Sequence, residues 1–404
     1  MRLLFITDNF PPEVNAPATR TYEHCKEWVD QGVDVTVITC FPNFPKGKIY
    51  EGYKHKLYQK ESIDGIKVIG LWSYITVNAG FIKRILDFLS FAIMAFWTGL
   101  FVKTDLIVAT SPQFFTTWSA FGLSKIKRKP WVFELRDIWP ESIKAVGAIS
   151  GDSRIFKFLE CVERALYSDA DLIISVTESF KKNLILRGIS EAKIQVVRNG
   201  ANLKRFKPQA KNKALESKYK IGGKVVLGYV GTHGMAHKLD FILEAFKSVR
   251  TNVHLLFIGD GAEKKKLIAY AEKLELKNVT FIDSVTKGEV VDYLSLIDIS
   301  LVPLKKSDLF KTVIPSKIFE NAAMRIPLLL GVEGESKSII EKFDAGECFE
   351  PESQEDFHEK LNNLLDSKER YENCQLGCDS LAKQFDRVRL ANEMKSHLDF
   401  VVSK

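Results

Sequence analysis

The amino-acid sequence predicts two doubly wound α/β domains in tandem, each a mostly parallel sheet with helices on both faces. Short apolar runs alternate with longer amphipathic stretches, the pattern of strand and helix in turn. The alternation pauses over residues 199–224, a polar stretch with Asn199-Gly200, Pro208 and several lysines, and then restarts. The length of 404 residues agrees, since a domain takes roughly 150. With 46% apolar residues, each half can bury a sizeable core.

In the first set, strands are expected at 2–7 (RLLFIT), 33–39 (VDVTVIT), 105–110, 131–136, 171–177 and 194–198, with helices at 18–31 and 153–168. In the second set, strands at 225–231, 253–261, 278–283, 298–304 and 326–331 alternate with helices at 238–250, 262–275, 287–297 and 315–325. The expected domains are 1–200 and 209–384, with an amphipathic helix at 385–404. Ligands of such sheets bind beyond the carboxyl ends of the strands, so the chemistry is sought in the loops that follow them, and in a cleft between the two sheets.

The net charge of +7 is mild for this length and excludes a nucleic-acid-coating role. It is uneven: residues 43–129 hold 13 Lys/Arg against 5 Asp/Glu. Within that stretch FLSFAIMAFWTGLFV (88–102) lacks any charge and is preceded by Lys83 and Arg84. As a helix it spans about 22 Å, too short for a bilayer core of roughly 30 Å. Two readings stay open, a core helix or, with Phe81, Trp97 and the basic KIKRK at 125–129, a face for an anionic membrane over 80–129. Six scattered cysteines without CxxC spacing exclude a disulfide framework and a zinc ribbon, and fit a reducing cytosol. The opening Met-Arg-Leu-Leu-Phe-Ile is broken by Asp8, Asn9 and Pro11-Pro12 before a signal-peptide core can form, so it reads as a first strand.

Candidate functional residues cluster in the loops after strands. TDNFPPEVNAPATR (7–20) is longer than a strand-to-helix connection needs, and its Asn15 and Arg20 can donate hydrogen bonds where a helix begins. In ELRDIWPES (134–142), Arg136, Asp137 and Glu141 follow a strand, and Asp137 is placed to accept a proton or bond a sugar hydroxyl, or else to cap a helix. In LGYVGTHGMAHKLD (227–240), Gly231 and Gly234 let a ligand approach, Thr232 lies between them, and His233, His237 and Lys238 offer positive charge. The motif is not a P-loop. Gly259-Asp260-Gly261 imitates a dinucleotide fingerprint, but Lys264 stands where its third glycine belongs. In TVIPSKIFENAAMRIPLLLG (312–331), Pro315 opens a helix whose Ser316 and Lys317 suit an anion, while Glu320, one turn along, can bond the two hydroxyls of a ribose or pair with Lys317.

Taken in order, PPEVNAPATR, VTVIT, RDIWPES, VVRNGANLKRF, GYVGTH, IGDG and PSKIFE followed by IP make the chain resemble the retaining glycosyltransferases of family 4 over almost its whole length. A narrower likeness is to bacterial O-antigen and capsule transferases such as those of N-acetyl-L-fucosamine. The resemblance implies a GT-B fold: two Rossmann-like domains facing a cleft, with the last helix packing back on the first. It implies that Gly231, Thr232 and Lys238 lie by a donor diphosphate, with Gly259 nearby, that Ser316 and Lys317 lie on it, and that Glu320 holds the ribose. Asp137 falls where many members have an acid after a His, and Arg136 replaces that His. The position near Thr312, acidic in the family, is not acidic here, and Arg325 stands where members have Gly.

The implied reaction moves a sugar with retention from a UDP-linked donor to a polyprenyl-diphosphate-linked glycan, on the cytoplasmic face of the inner membrane. No cofactor and no metal are expected, because Lys238, Lys317 and helix termini neutralise the departing diphosphate. Asp169-Ala170-Asp171 reads as a cap and not as a metal motif. The rival readings are a sugar-nucleotide epimerase of similar fold and a non-catalytic sugar-nucleotide-binding scaffold.

Overall fold

The computed structural model describes residues 1–44, 47–54, 56–76, 81–111, 114–139 and 153–404, without the side chains of Phe81, Ile82 and Ile155. It divides into two compact units, Met1–Arg198 with Arg387–Lys404, and Asn199–Asp386.

The first unit is built on an eight-stranded sheet. Its strands are β1 (Arg2–Ile6), β2 (Asp34–Cys40), β3 (Tyr58–Ile63), β4 (Ile66–Leu71), β5 (Leu106–Thr110), β6 (Trp131–Leu135), β7 (Leu172–Ser175) and β8 (Ile194–Val196), in the order β3-β4-β2-β1-β5-β6-β7-β8. Every pairing is parallel except β3 with β4, a hairpin not anticipated from the sequence, whose turn places Asp64 and Gly65 at positive φ. The central strands β5, β6 and β7 are buried throughout, as a sheet covered on both faces requires.

Its helices are α1 (Ala16–Asp30), α2 (Phe81–Gly99), α3 (Phe114–Lys127), α4 (Arg154–Asp169), α5 (Glu178–Leu186) and, from the end of the chain, one at Arg387–Ser403. That last helix lies on α1: Trp28 Nε1 donates to the Ala391 carbonyl at 2.8 Å, with Trp28 fully buried. The reading of residues 88–102 as a core helix holds for one face of α2 only. One face of α2 is core, with Phe91 and Ala95 fully buried and the Ala92 carbonyl taking the Ser119 hydroxyl of α3 at 2.6 Å. The other face leaves Ile93 and Trp97 more than half exposed. No described helix is long and apolar enough to cross a membrane.

The second unit holds six parallel strands, β9 (Val225–Val230), β10 (Val253–Ile258), β11 (Val279–Ile282), β12 (Ile299–Pro303), β13 (Leu328–Gly331) and β14 (Gly346–Cys348), in the order β11-β10-β9-β12-β13-β14. Around them stand α6 (Lys213–Lys218), inside the stretch read as a linker, then α7 (Leu239–Phe246), α8 (Lys264–Lys273), α9 (Val290–Leu294), α10 (Lys317–Ala323), α11 (Glu335–Phe343), α12 (Gln354–Asp366) and α13 (Lys368–Gln384). The helix at Arg387–Ser403 is α14. In both sheets the order reverses around the first strand, with β1 and β9 each flanked by strands from both directions. Such reversals open a crevice at the carboxyl edge.

Candidate functional site

In the second unit the loops after β9 and β10 are stitched together. Gly231 N–H donates to the Ile258 carbonyl at 2.9 Å, and His233 N–H to the Asp260 carbonyl at 2.8 Å. Gly259 has φ 140°, and a β-carbon there would stand 2.0 Å from the Gly231 carbonyl oxygen. Only glycine fits, because the clash is with backbone. The dinucleotide resemblance ends at Lys264, whose ammonium bonds the Gly259 carbonyl (2.8 Å), the Ile282 carbonyl (3.1 Å) and Asp283 (2.5 Å). It ties the strand ends together.

Lys317 opens α10, and its ammonium is the centre of this edge. Nζ is buried with no hydrogen-bond acceptor among the described residues. It rests 3.8 Å from the centroid of the Tyr229 ring, and a β-carbon on Gly231 would lie 2.8 Å from it. The Tyr229 hydroxyl is fixed by donating to the Thr232 carbonyl at 2.7 Å. Burial brings the lysine down to about 7, against a smaller opposing pull from Glu320. A ring face stabilises a cation but offers no hydrogen bond, so the ammonium lacks the hydrogen-bond acceptor that a buried charge requires.

The positive charge expected of the histidines is corrected. His233 is fully buried, and burial takes both His233 and His237 down to about 4, assisted by Lys317. Both rings are neutral at pH 7, leaving lysines as the cations of this edge. Lys238 caps α7 in the left-handed region at φ 49°, its ammonium 2.8 Å from Asp240. A 3₁₀ turn at Met235–His237 precedes α7, which begins at Leu239, one residue after the expected start at 238. Ser316 caps α10 without a side-chain bond, Thr232 is exposed, and Glu320 is half-buried one turn from Lys317. Thus Gly231, Lys317 and Tyr229 meet, with Thr232 and Gly259 bracing the same turns. Thr312 ends a 3₁₀ turn, with its hydroxyl on the Leu309 carbonyl. Arg325 takes φ 59°, so its position wants a glycine's freedom, and its side chain pairs with Asp379 at 3.1 Å.

In the first unit one expectation is corrected. Arg20 is fully buried and not available to an acceptor: it pairs with Glu134 at 2.8 Å and donates to the carbonyls of Arg198 (2.7 Å) and Val197 (3.0 Å). Burial alone would raise the Glu134 carboxyl, but Arg20 and Arg136 outweigh it and hold it below its ordinary value. Asn15 caps α1, accepting from Ala18 N–H at 2.9 Å and donating to Asn9 Oδ1 at 2.5 Å. Arg136 bonds the Pro17 carbonyl at 3.2 Å, and burial pushes its guanidinium down to about 10. Asp137 is half-buried, its backbone held by the Ser111 hydroxyl. Glu141 lies outside the described residues. Asp169 and Asp171 both bond Trp131, at its indole N–H and backbone N–H, each at 2.9 Å.

Sequence reasoning missed Tyr229 and an acidic group after β1. Tyr229 had a signal: in a strand, residues two apart share a face, so Tyr229 accompanies Gly231. Glu13 had none. It is buried in the loop after β1, where Oε1 accepts the N–H groups of Asn43 and Phe44, each at 2.8 Å, while Oε2 has no partner among the described residues. Burial raises Glu13 to about 7 and Asp87 to about 6, and Asp8 adds to both.

Two family profiles match the chain. Residues 17–205 match the family described as Glycosyltransferase Family 4, and residues 211–376 match Glycosyl transferases group 1. The chain is a family 4, group 1 glycosyltransferase. This decides between the rival readings in favour of transfer. The glycosyltransferase is 24% identical over 372 residues to the colanic acid biosynthesis glycosyl transferase WcaI of Escherichia coli K12, covering 88% of this chain and 90% of that protein. Glycosyltransferase WbjE of Pseudomonas aeruginosa is 24% identical over 54% of this chain and 55% of its own. Among solved structures, sucrose-phosphate synthase of Thermosynechococcus elongatus superposes with TM-score 0.80 at 15% identity, over 100% of this chain and 99% of that one. HepE of Anabaena, solved with UDP-glucose, does so with TM-score 0.74 at 15% identity, over 99% of each chain. The fold of the enzyme is GT-B, two α/β domains with parallel sheets.

Proposed function

We propose that this glycosyltransferase moves a sugar from a UDP-linked donor, with retention at the anomeric carbon, to a polyprenyl-diphosphate-linked glycan in the making of a bacterial surface polysaccharide such as O-antigen or capsule. The observation that carries this reading is the buried, acceptor-less ammonium of Lys317 between Gly231 and the Tyr229 ring. A diphosphate oxygen supplies the hydrogen-bond acceptor that position lacks, at a turn where glycine lets it come close. The polysaccharide context rests on the names of WcaI and WbjE, and the UDP on HepE.

In this mechanism Lys317 and Lys238 stabilise charge as it develops on the departing diphosphate, which is why we propose a metal-independent reaction. Ser316 and Glu320 orient the nucleotide, and Asp137 or the leaving phosphate takes the acceptor's proton. N-acetyl-L-fucosamine is the donor sugar we favour. The acceptor lipid and the exposed apolar face of α2 together favour a peripheral position on the cytoplasmic face of the inner membrane.

The test is product analysis. UDP released only when a lipid-linked acceptor is present, unaffected by a chelator and lost in Lys317→Ala, supports the reading. Turnover that needs a divalent cation, or an altered free sugar nucleotide as product, rejects it.

A further inference from the structure

Large apolar side chains stand exposed on three neighbouring elements of the first unit. Ile93, Trp97 and Phe101 are 57%, 59% and 87% exposed on α2 and the turn after it. Phe121 and Ile126 of α3 are 36% and 61% exposed, and Phe400 of α14 is 60% exposed. One contact ties α2 to α3, and lysines stand over two of the exposed rings. Lys127 of α3 donates to the Leu100 carbonyl beyond α2 at 2.9 Å, Lys125 stands 5.4 Å over the Phe121 ring, and Lys404 stands 4.5 Å over the Phe400 ring. Exposed apolar residues scattered singly need no explanation, but a continuous patch does.

Between the end of α3 and the last turn of α14 the patch opens into a groove of about 550 Å³, walled by Lys125, Arg128, Lys129, Lys404, Asp169 and Asp171. The carboxylates are occupied: Asp169 takes the Trp131 indole and Lys125, and Asp171 takes the Trp131 backbone. Arg128, Lys129 and Lys404 make no ion pair among the described residues. The basic turn is held in shape, with Lys129 N–H donating to the Ser124 carbonyl at 3.2 Å and the Ser124 hydroxyl to the Lys129 carbonyl at 2.8 Å. The groove sits where β6 and β7 begin, at the opposite edge from Arg136 and Asp137.

We infer that this groove seats the headgroup of an anionic phospholipid while the surrounding apolar side chains enter the bilayer interface. Cations ringed by exposed aromatic and aliphatic groups match the layering of a membrane surface, phosphate outside and acyl chain within, which a free phosphate ion does not. The inference rests on the membrane position proposed above and names what holds it. α2 runs about 28 Å from the ligand edge to the groove. A headgroup held at its far end lays the exposed stripe along the interface. The groove is thus a docking contact and takes no part in the reaction.

The test is sedimentation of the full chain with vesicles of phosphatidylglycerol and phosphatidylcholine in equal parts, at low salt. Binding is expected, and vesicles of phosphatidylcholine alone should bind far less. The double variant Arg128→Gln/Lys129→Gln should weaken partitioning by about thirtyfold, the usual contribution of two surface cations. Removing two exposed lysines elsewhere, Lys265→Gln/Lys277→Gln, should leave it near the wild-type value, and Phe101→Ala should weaken it independently of salt. Equal binding by the groove variant and the wild type overturns the inference, as does binding abolished by inorganic phosphate at matched ionic strength. Turnover on a detergent-dispersed acceptor should be unchanged in the groove variant. Loss of turnover there would place the groove in the reaction and contradict the assignment. Vesicle binding that follows the groove charges without any lipid-linked acceptor being used leaves the docking intact and rejects only the acceptor reading.

Discussion

Arg20 and Lys317 are both cations buried beside the carboxyl edge of a parallel sheet, and their surroundings differ in what meets the charge. The Arg20 guanidinium has Glu134 and two backbone carbonyls. The Lys317 ammonium has an aromatic ring and a glycine, with no hydrogen-bond acceptor among the described residues. A buried charge that is paired belongs to the architecture, whereas one without an acceptor lowers the stability of the empty protein and gains its partner from a ligand. The comparison separates the two residues, both of which the sequence offered as candidates for a site.

Four perturbations sharpen or break it. Arg20→Ala leaves Glu134 buried and charged, so it should cost about 3–5 kcal/mol of stability, read by denaturant unfolding. Little loss would mean the pair is not the tie it resembles. Lys317→Ala should lower turnover by about 10²–10³, the usual effect of removing one preorganised donor, while thermal stability holds or rises. Loss of stability instead would make Lys317 structural.

The third is pH. The folded value of Lys317, about 7, lies below the unfolded value, so between the two the unfolded chain binds more protons. This lysine therefore makes the empty protein gain stability as pH rises from about 7 towards 10. Donor affinity should move the opposite way, falling about tenfold per pH unit above 7, because the bound diphosphate requires the charged form. Parallel slopes would contradict the assignment. The smallest effect is expected from Arg325→Gly, which relieves the left-handed backbone and should stabilise by about 1 kcal/mol, less what the Asp379 pair contributes.

The pattern of apolar runs was enough to read the two parallel sheets, because their central strands are buried on both faces and so carry unbroken Val, Ile and Leu. It was not enough for the β3–β4 hairpin, where YQKESI alternates on an exposed edge and resembles a loop. The glycine turn at 231 and the helix opening at Lys317 were legible because both chemistries need particular residues at particular places. What could not be read was which charges meet. Arg20, Glu134 and Arg198 lie far apart in the chain, and only the packing of α1 over the strand ends brings them together. The neutrality of His233 and His237 likewise follows from burial, which no motif encodes.

The most direct test is calorimetry of UDP binding at pH 8, in buffers that differ in ionisation enthalpy, for the wild type and Lys317→Met. The account expects uptake of about one proton by the wild type, as the neutral amine regains its charge against the diphosphate, and none by the variant. Equal proton uptake in the two proteins, or none in either, would contradict it.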